Sequence, residues 1–306
     1  MDPFFAAAFF LFGLIFGSFL NVCIYRLPRD KSVVTPRSAC PNCGHLIRAY
    51  DNIPVLSWII LGGRCRDCRG RISPRYSIVE LLSGGLFLAS YAQFGLTLAA
   101  LKYCVFAYLL LGLIFTDAET KLLPDKLTLP GLALGLLFSV LVPLDDVVAQ
   151  MLPAVAGPGS MPPWRLHSLG DALVGAALGA GFIYGSGMVY KLARGVEGMG
   201  FGDVKLMAMV GAFLGATLTI FTIFAASIAG ALYGLSMIPV VWVKRTRRRM
   251  RRGHEPAATA RRRAWNSAKK VYRYYAMPFG VFLGTIAILA AFFGEDVLHW
   301  YWRLYL

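Results

Sequence analysis

Long apolar runs dominate this chain and restrict the folds open to it. They are about 16 to 24 residues long, close to the length of helix that crosses a hydrocarbon core about 30 Å thick. The 306 residues are 57% hydrophobic and only 15% charged, which is unusual for a soluble domain of this size. The sequence therefore predicts an all-α polytopic membrane protein. The first run lacks a basic segment before it and is followed by similar runs, so we interpret it as a retained span rather than a cleaved signal peptide.

About eight spans are predicted, and the basic residues suggest their orientation. The spans cover residues 4–25, 77–94, 98–116, 127–142, 170–192, 203–218, 220–243 and 275–294. With both termini outside, 28 of the 31 Lys and Arg residues fall in or beside the inner loops 26–76, 117–126, 193–202 and 244–274. This distribution follows the positive-inside rule. The expected divisions are a first helix (1–25), a cytoplasmic domain (26–76) and a transmembrane domain (77–306).

The largest inner loop carries two C-x2-C pairs separated by 21 residues: Cys40 with Cys43, and Cys65 with Cys68. Paired knuckles at this spacing are typical of a tetrahedral zinc site with four cysteine ligands. The loop is too small for a hydrophobic core, so a metal would stabilise it. Two disulfides are the alternative, but a reducing cytosol disfavours them. Four thiolates leave no open coordination position, so we expect a structural zinc.

The polybasic loop 244–274 contains 13 Lys and Arg residues and has no recognisable fold in the sequence. Nucleic-acid binding is one interpretation, but Trp265 is the only aromatic residue within its basic run 244–270. Attraction to anionic membrane lipid is the simpler explanation for a basic segment beside a membrane span. We therefore expect a lipid partner and no nucleic acid.

Two carboxylates are expected at the cytoplasmic membrane boundary. Asp117 ends the third span, and Asp203 begins the sixth, just before the uncharged stretch 206–243. An ionisable group at this depth is costly and usually functional. Two carboxylates from different helices can share one proton and form an aspartyl-protease dyad. The ionised member would take a proton from water as it attacks a peptide carbonyl, and the protonated member would donate to the carbonyl oxygen.

Three glycines, Gly198, Gly200 and Gly202, alternate in the residues before Asp203. Glycine lets the backbone approach a substrate chain closely and adopt torsions that other residues avoid, so this track could hold an extended peptide. The alternative is a plain turn before a helix, with Asp203 as its N-cap. Asp125 follows Pro124 at the start of the fourth span, where N-capping explains it at least as well as catalysis.

Six motifs along the chain belong together. They are GSFLNVCIYRLPR (17–29), CPNC with DNIPVLSW (40–58), CRDCRGRISPRYSIVELL (65–82), DAETKLLPD (117–125), GMGFGDVKL (198–206) and MPFGVFL (277–283). In order and content they resemble the type IV prepilin peptidases, the bifunctional leader peptidases and N-methyltransferases of pilus and type II secretion systems. Gly-Phe-Gly-Asp at 200–203 also resembles the GxGD sequence of presenilin-like proteases. Ser77 departs from the family pattern, which has Pro at that position.

The resemblance implies that Asp117 and Asp203 are the catalytic pair and that the four cysteines bind zinc. Glu119, Asp125 and Lys205 lie in the same two acidic motifs and are candidates for supporting or substrate-binding roles. The implied substrates are prepilins and related pseudopilins, with a short basic leader, a Gly at the cut and an apolar helix beyond it. The implied location is the bacterial inner membrane, with the active site facing the cytoplasm.

The resemblance also implies that the new N-terminus receives a methyl group from S-adenosylmethionine. Asn21 and Glu80, near the cytoplasmic ends of the first two spans, are candidates for this step, and helix-to-helix hydrogen bonding is an equal alternative for both. Two other functions are compatible with the spans: a cation or metal transporter with a regulatory zinc domain, and a zinc-anchored scaffold. Transporters usually place polar groups near mid-depth, and these spans are nearly free of acids there.

Overall fold

The computed structural model describes residues 1–144, 146–147, 163–196, 198–252, 257–274 and 277–303. Within these ranges the chain is mainly helical, and its only β-structure is two isolated bridges. The helices are α1 (Pro3–Arg26), α2 (Leu56–Ile60), α3 (Arg75–Phe94), α4 (Leu98–Thr120), α5 (Asp125–Leu141), α6 (Trp164–Arg194), α7 (Phe201–Arg252), α8 (Ala257–Tyr274) and α9 (Phe279–Arg303). Two short 3-10 turns, Leu27–Arg29 and Ala49–Asn52, lie between α1 and α2.

Six of the described helices, α1, α3, α4, α6, α7 and α9, are long and apolar enough to cross a membrane. The fourth predicted span corresponds to α5, which has 17 residues. The sixth and seventh predicted spans both lie in α7, which has 52 residues. The all-α membrane fold is confirmed, and the four cysteines lie between the first two spans as expected. The start of the last predicted span, at residue 275, falls outside the described residues.

The helix α7 is broken at Gly215, where φ is 79° and ψ is −176°. This backbone conformation is essentially restricted to glycine, so the break divides α7 into α7a (201–214) and α7b (216–252). Asp146 stabilises the start of α7b, because its Oδ2 accepts the Thr217 N–H at 2.9 Å in the manner of an N-cap. The turn expected between residues 218 and 220 therefore occurs four residues earlier.

Contacts at the two ends of the helices show that consecutive crossings alternate in direction. One end carries Asp117, Asp203 and the loop between α1 and α3, and we call it the aspartate end. At the opposite end, Gln93 of α3 donates to the Phe292 carbonyl of α9 at 3.0 Å. The turn at Gly215 also lies at that opposite end. Counting α7a and α7b separately, the eight crossings place residue 3 and residue 303 together at the opposite end.

The helices α6 and α7a are in close backbone contact, which fixes the position of α7a and of the Asp203 that it carries. A Cβ on Gly175 or Gly211 would overlap the backbone of the other helix, so small residues permit this approach, as is common between membrane helices. On its other side α7a packs against α4, where the rings of Phe106 and Phe213 stack with centroids 4.7 Å apart. The start of α7a is therefore held on two faces.

The segment expected to be a polybasic loop is largely helical. The helix α7b continues to Arg252, and α8 packs back along it through the Trp242 and Trp265 rings, whose centroids are 6.1 Å apart. The Trp242 side chain also donates to the Arg261 carbonyl at 3.1 Å. Ala264 is buried at this contact. Because α8 is amphipathic, it hides its apolar side against α7b; residues 253–256 lie outside the described part of the chain.

Candidate active site

Asp117 lies in the last turn of α4 and contacts the first turn of α9. Its side chain is buried, with 5% of the residue exposed. Its Oδ2 accepts the Val281 N–H at 3.0 Å. A Cβ added to Gly280 would lie 3.0 Å from the same oxygen, so glycine leaves room for the carboxylate. Amides in the first turn of a helix lack partners within the helix, and here one of them is satisfied by Asp117.

Asp203 is the third residue of α7a and is also buried, with 9% exposed. Its N–H donates to the Gly200 carbonyl at 3.1 Å, and its carboxylate accepts from the Gly200 amide. Both contacts tie Asp203 to the residue just before the helix. The N-cap role considered from the sequence is not found, because Asp203 lies within the first turn of α7a and not before it. A second feature of Asp203 is its proximity to Asp117.

The two carboxylates converge on the same buried region from separate helices. Asp203 lies within electrostatic range of Asp117. The Leu123 side chain packs close to both Gly202, next to Asp203, and Gly280, next to Asp117. Cβ atoms on these glycines would lie 2.9 and 3.2 Å from it. The first turns of α7a and α9 therefore meet around the end of α4. This arrangement can bind a peptide between two acids, with one acid accepting and the other donating a proton.

The three charged residues predicted to support the pair form ion pairs that tie helices together. Glu119 pairs with Arg75 at the start of α3. Lys205 contacts both Asp125 oxygens at 2.7 Å, which joins α7a to α5. Because Lys205 lies two residues after Asp203, this ion pair restrains the turn that carries the aspartate. These contacts favour positioning roles for all three.

The glycine track differs in detail from the sequence interpretation. Gly200 and Gly202 do not adopt a positive φ. Two glycines of the track are needed for close packing: a Cβ on Gly198 would overlap the Tyr190 ring, and one on Gly202 would lie 2.9 Å from the Leu123 Cβ. A Cβ on Gly200 would make only ordinary contacts, the nearest of them with Asp203 Oδ2 at 3.8 Å. Gly200 is therefore not required by packing against the described residues.

Asn21 ties α1 to the start of α3, and Glu80 of α3 anchors the loop between these two helices. The Asn21 amide donates to the Tyr76 carbonyl at 2.9 Å. Glu80 Oε2 accepts the Val55 N–H at 2.8 Å, and Val55 has a φ of 62°. A Cβ on Gly17 would lie 2.8 Å from the Glu80 Cα, so α1 and α3 are in close contact there. Among these groups, Asn21 Oδ1 is buried without a hydrogen-bond partner.

The four cysteines form a compact cluster that fits a tetrahedral metal ion. Their Sγ atoms all lie within 4.8 Å of one another, and Cys40 Sγ is 3.8 Å from Cys68 Sγ. Sulfurs placed about 2.3 Å from a central zinc are about 3.8 Å apart in a regular tetrahedron. Each pair occupies a similar knuckle: Cys40 N–H donates to the His45 carbonyl at 2.9 Å and Cys65 N–H to the Gly70 carbonyl at 2.8 Å.

The knuckle backbone favours a thiolate at one cysteine. The pKa of Cys40 is lowered to about 7, first by a hydrogen bond from the Cys43 amide and then by further donors, against the effect of burial. The pKa of Cys43 is raised to about 12: the His45 amide favours its thiolate, but desolvation and the neighbouring sulfurs favour the thiol. A divalent cation would relieve this competition between thiolates, so the donor set fits a metal.

Gly280 and Val281 contact Asp117, and residue-by-residue reasoning from the sequence did not identify them. They carry no ionisable group, and their contribution is a backbone amide and the absence of a side chain. The available signal was a glycine directly after Pro278 and Phe279 at the start of an apolar span. That pattern predicts a helix N-terminus, but nothing in the sequence shows that its amides face Asp117.

Two family models match this chain, and together they cover most of it. The Bacterial Peptidase A24 N-terminal domain matches residues 11–94, which include the four cysteines. The Type IV leader peptidase family matches residues 104–235, which include Asp117 and Asp203. The polybasic segment 244–274 lies beyond both matches.

Curated relatives agree with the family models. A "Prepilin leader peptidase/N-methyltransferase" of Aeromonas hydrophila is 35% identical over 316 residues, covering 95% of this chain and 92% of the relative. Proteins of the same name are 41% identical in Myxococcus xanthus, over 77% of this chain and 64% of the relative, and 36% identical in Pseudomonas aeruginosa, over 74% and 79%. No solved structure matches the chain.

Proposed function

Because the chain belongs to the type IV leader peptidase family, we propose that it cleaves the leader from prepilins and then N-methylates the product, with Asp117 and Asp203 as its catalytic pair. The observation that carries the proposal is the convergence of these two buried carboxylates from α4 and α7a. The family and the named relatives support a peptidase with methyltransferase activity. No comparison favours the transporter considered from the sequence.

The pair performs acid and base chemistry on the scissile peptide bond. The ionised carboxylate takes a proton from a water molecule, which attacks the carbonyl carbon, while the protonated carboxyl donates to the carbonyl oxygen. Two neighbouring carboxylates hold a single proton at working pH because both cannot ionise easily at short range. Burial excludes competing water and strengthens the electrostatic interactions on which both proton transfers depend.

The substrate enters beside Gly200, where the backbone is open next to Asp203. A prepilin places its basic leader in the aqueous phase and its apolar helix in the bilayer. Its scissile bond then lies at the membrane boundary, and we place the aspartate end of the bundle at that boundary. Supporting this, Lys205 and Asp125 are partly exposed at the aspartate end, whereas most of α7a beyond Asp203 is buried and apolar.

Product mass tests the two activities together. The purified protein is incubated with a prepilin and S-adenosylmethionine, and the product is weighed by mass spectrometry. We expect a loss equal to the leader and, with the methyl donor present, a gain of one methyl group. A prepilin that keeps its full mass under conditions where the protein is folded would contradict the proposal.

Methyl transfer needs a donor and a neutral amine at the new N-terminus. S-adenosylmethionine would supply an electrophilic methyl group. Glu80 serves this step indirectly, by holding the loop that contains Val55 against α3, and Asn21 does so by tying α1 to the start of α3. Glu80→Gln should therefore reduce methylation more than cleavage, because it weakens the anchor of this loop and not a contact of the aspartates. Equal losses of both activities would contradict this division.

The cysteine cluster holds a structural zinc through Cys40, Cys43, Cys65 and Cys68. Support comes from the sulfur spacing and from the matching knuckle hydrogen bonds. All four positions of a tetrahedral ion are then taken by sulfur, so the ion stabilises the loop and takes no part in proteolysis. The loop meets the helices through Glu80, which connects the metal domain to the bundle.

The protein occupies the bacterial inner membrane with the aspartate end facing the cytoplasm. The distribution of Lys and Arg supports this orientation, since all 13 basic residues of 244–274 belong to the helical segment at that end. This segment binds anionic lipid headgroups and not nucleic acid. In nanodiscs, backbone hydrogen exchange of 257–274 should be slower with anionic than with neutral lipid, and equal rates would contradict lipid binding.

A further inference from the structure

The two carboxylates of the pair are held by different numbers of backbone donors. Asp117 Oδ2 accepts the Val281 N–H at 3.0 Å, and the Gly280 N–H also donates to this carboxylate. These are the second and third residues of α9, where amides have no acceptor in their own helix and the helix dipole is positive. Both features stabilise a negative charge on Asp117.

Asp203 has weaker support for a negative charge. Asp203 lies in the first turn of its own helix, whose dipole also favours a negative charge, but its carboxylate has one backbone donor, the Gly200 amide, against two for Asp117. Its neighbour in the pair is an acid, so ionising both would place like charges close together. Of the two groups, Asp203 is therefore the better site for the shared proton.

The charged groups around the pair strengthen the asymmetry. Lys121, at the end of α4, adds positive charge on the side of Asp117. Lys205, which is closest in sequence to Asp203, contacts both oxygens of Asp125 on α5. Glu119 pairs with Arg75 of α3. The first two turns of α9, residues 279–286, contain no ionisable side chain.

We propose that in the resting enzyme Asp117 is the ionised base and Asp203 carries the proton, with Gly280 and Val281 as positioning residues that set this order. The proposal rests on the proposed peptidase function. Asp117 takes a proton from the attacking water as the new C–O bond forms, and Asp203 gives its proton to the carbonyl oxygen. When the C–N bond breaks, Asp117 passes its proton to the leaving nitrogen and Asp203 regains one from a hydroxyl of the intermediate. Both residues thus return to their starting states.

Infrared difference spectroscopy at pH 7 tests the assignment on the full-length protein in detergent. Protonated and ionised carboxyl groups absorb at different frequencies, so subtracting each variant from the wild type reveals the state of the removed group. Asp203→Asn should remove a protonated-carboxyl band, and Asp117→Asn should remove a carboxylate band. The reverse pattern, or carboxylate loss in both variants, would overturn the proposal.

A second variant tests the positioning role of the α9 amides. In Gly280→Ala the added Cβ displaces the Asp117 carboxylate from its donors. Losing about one hydrogen bond to a charged group should move the acidic limb of the kcat profile upward by about one pH unit. The matched control is Gly284→Ala, one turn further along α9, whose Cβ would contact Ile114 instead of Asp117.

The outcomes separate this proposal from the proposed function. An unshifted acidic limb in Gly280→Ala, or an equal shift in Gly284→Ala, would contradict the positioning role. If Gly280→Ala does not fold, the infrared comparison decides alone. Should Asp117→Asn and Asp203→Asn both lose cleavage while the infrared pattern is reversed, the peptidase pair stands and only the assignment of base and acid fails.

Discussion

At the scale of single residues, glycines near the aspartates have separate roles that their sequence motif does not distinguish. Gly202 leaves room for the Leu123 side chain, and Gly280 leaves room for Asp117. Gly198 accommodates the Tyr190 ring. Gly200 alone among these four is open on the side where a Cβ would point. Three of these glycines thus serve packing, and packing does not require the fourth, which is the one proposed to approach the substrate.

This difference predicts unequal effects of two alanine substitutions. Gly200→Ala has no internal clash, so its thermal stability should match the wild type while its KM for a prepilin rises several-fold. Gly202→Ala must displace Leu123 and should lower both stability and kcat. Steady-state cleavage kinetics and thermal unfolding in detergent check both variants. A Gly200→Ala enzyme with unchanged KM would contradict the role of this glycine in substrate approach.

The sequence was sufficient to select candidate acids but not their neighbours. Asp117 and Asp203 stand out because few acids occur near the ends of the spans. The amides of Gly280 and Val281 reach Asp117 across 164 positions of sequence, and no local pattern encodes such a contact. At Gly200 and Gly202 the special torsions expected for the glycine track were not found, and at Gly202 close packing against Leu123 requires glycine instead.

At the scale of elements, the break in α7 depends on a residue far away in the chain. Gly215 reverses the chain with φ 79°, and Asp146 holds the reversal through Thr217. Hydropathy predicted two crossings in this region because 38 uncharged residues exceed one bilayer thickness. It could not place the turn, because the position depends on tertiary capping by Asp146 and on a torsion available to glycine.

Gly215→Ala should destabilise the protein strongly. The torsion itself costs roughly 1–3 kcal/mol for a residue with a side chain, and the new Cβ would lie 2.5 Å from Asp146 Oδ2. Thermal unfolding in detergent gives the loss, and Gly185→Ala, with no heavy atom near its Cβ position in α6, is the matched control. Equal unfolding temperatures for the two variants would contradict the assigned role of the break.

The zinc-binding loop gives a second prediction at this scale. Elemental analysis should find one zinc per chain, and Cys68→Ser should lower this content, whereas Cys104→Ala, a change in the buried part of α4, should not. Binding should weaken as pH falls through about 7, because the pKa of Cys40 is about 7 and that of Cys43 is higher, so protons compete increasingly with the metal for the sulfurs.

Zinc content that is unchanged in Cys68→Ser, or that is independent of pH between 8 and 5, would contradict this site. A structural ion stabilises the loop and not the catalytic pair, so removing it should disrupt the loop before it affects leader cleavage. Limited proteolysis of the region 26–76 after chelation should therefore precede any loss of leader cleavage.

At the scale of the whole molecule, eight crossings bring both acids to one end and both described ends of the chain to the other. Composition and charge were enough to predict the all-α membrane fold, and six of the described helices are long and apolar enough to cross a membrane. The helical hairpin of α7b and α8 was not predicted, because the charge of residues 244–274 was interpreted as that of a solvated loop. The contacts of Ala264 and Trp265 with α7b are tertiary. The hairpin lies at the aspartate end, and its basic part, residues 244–274, falls outside the range that the family models match.

The central claim is that Asp117 and Asp203 act as one catalytic unit, and leader cleavage by isosteric variants tests it most directly. Asp117→Asn and Asp203→Asn are compared with Asp30→Asn, which removes an exposed acid paired with Lys126 at the same end. Each dyad variant should lose at least about 100-fold in cleavage rate, with unchanged zinc content and membrane insertion, while Asp30→Asn keeps wild-type activity. Cleavage at the wild-type rate by either dyad variant would contradict the account.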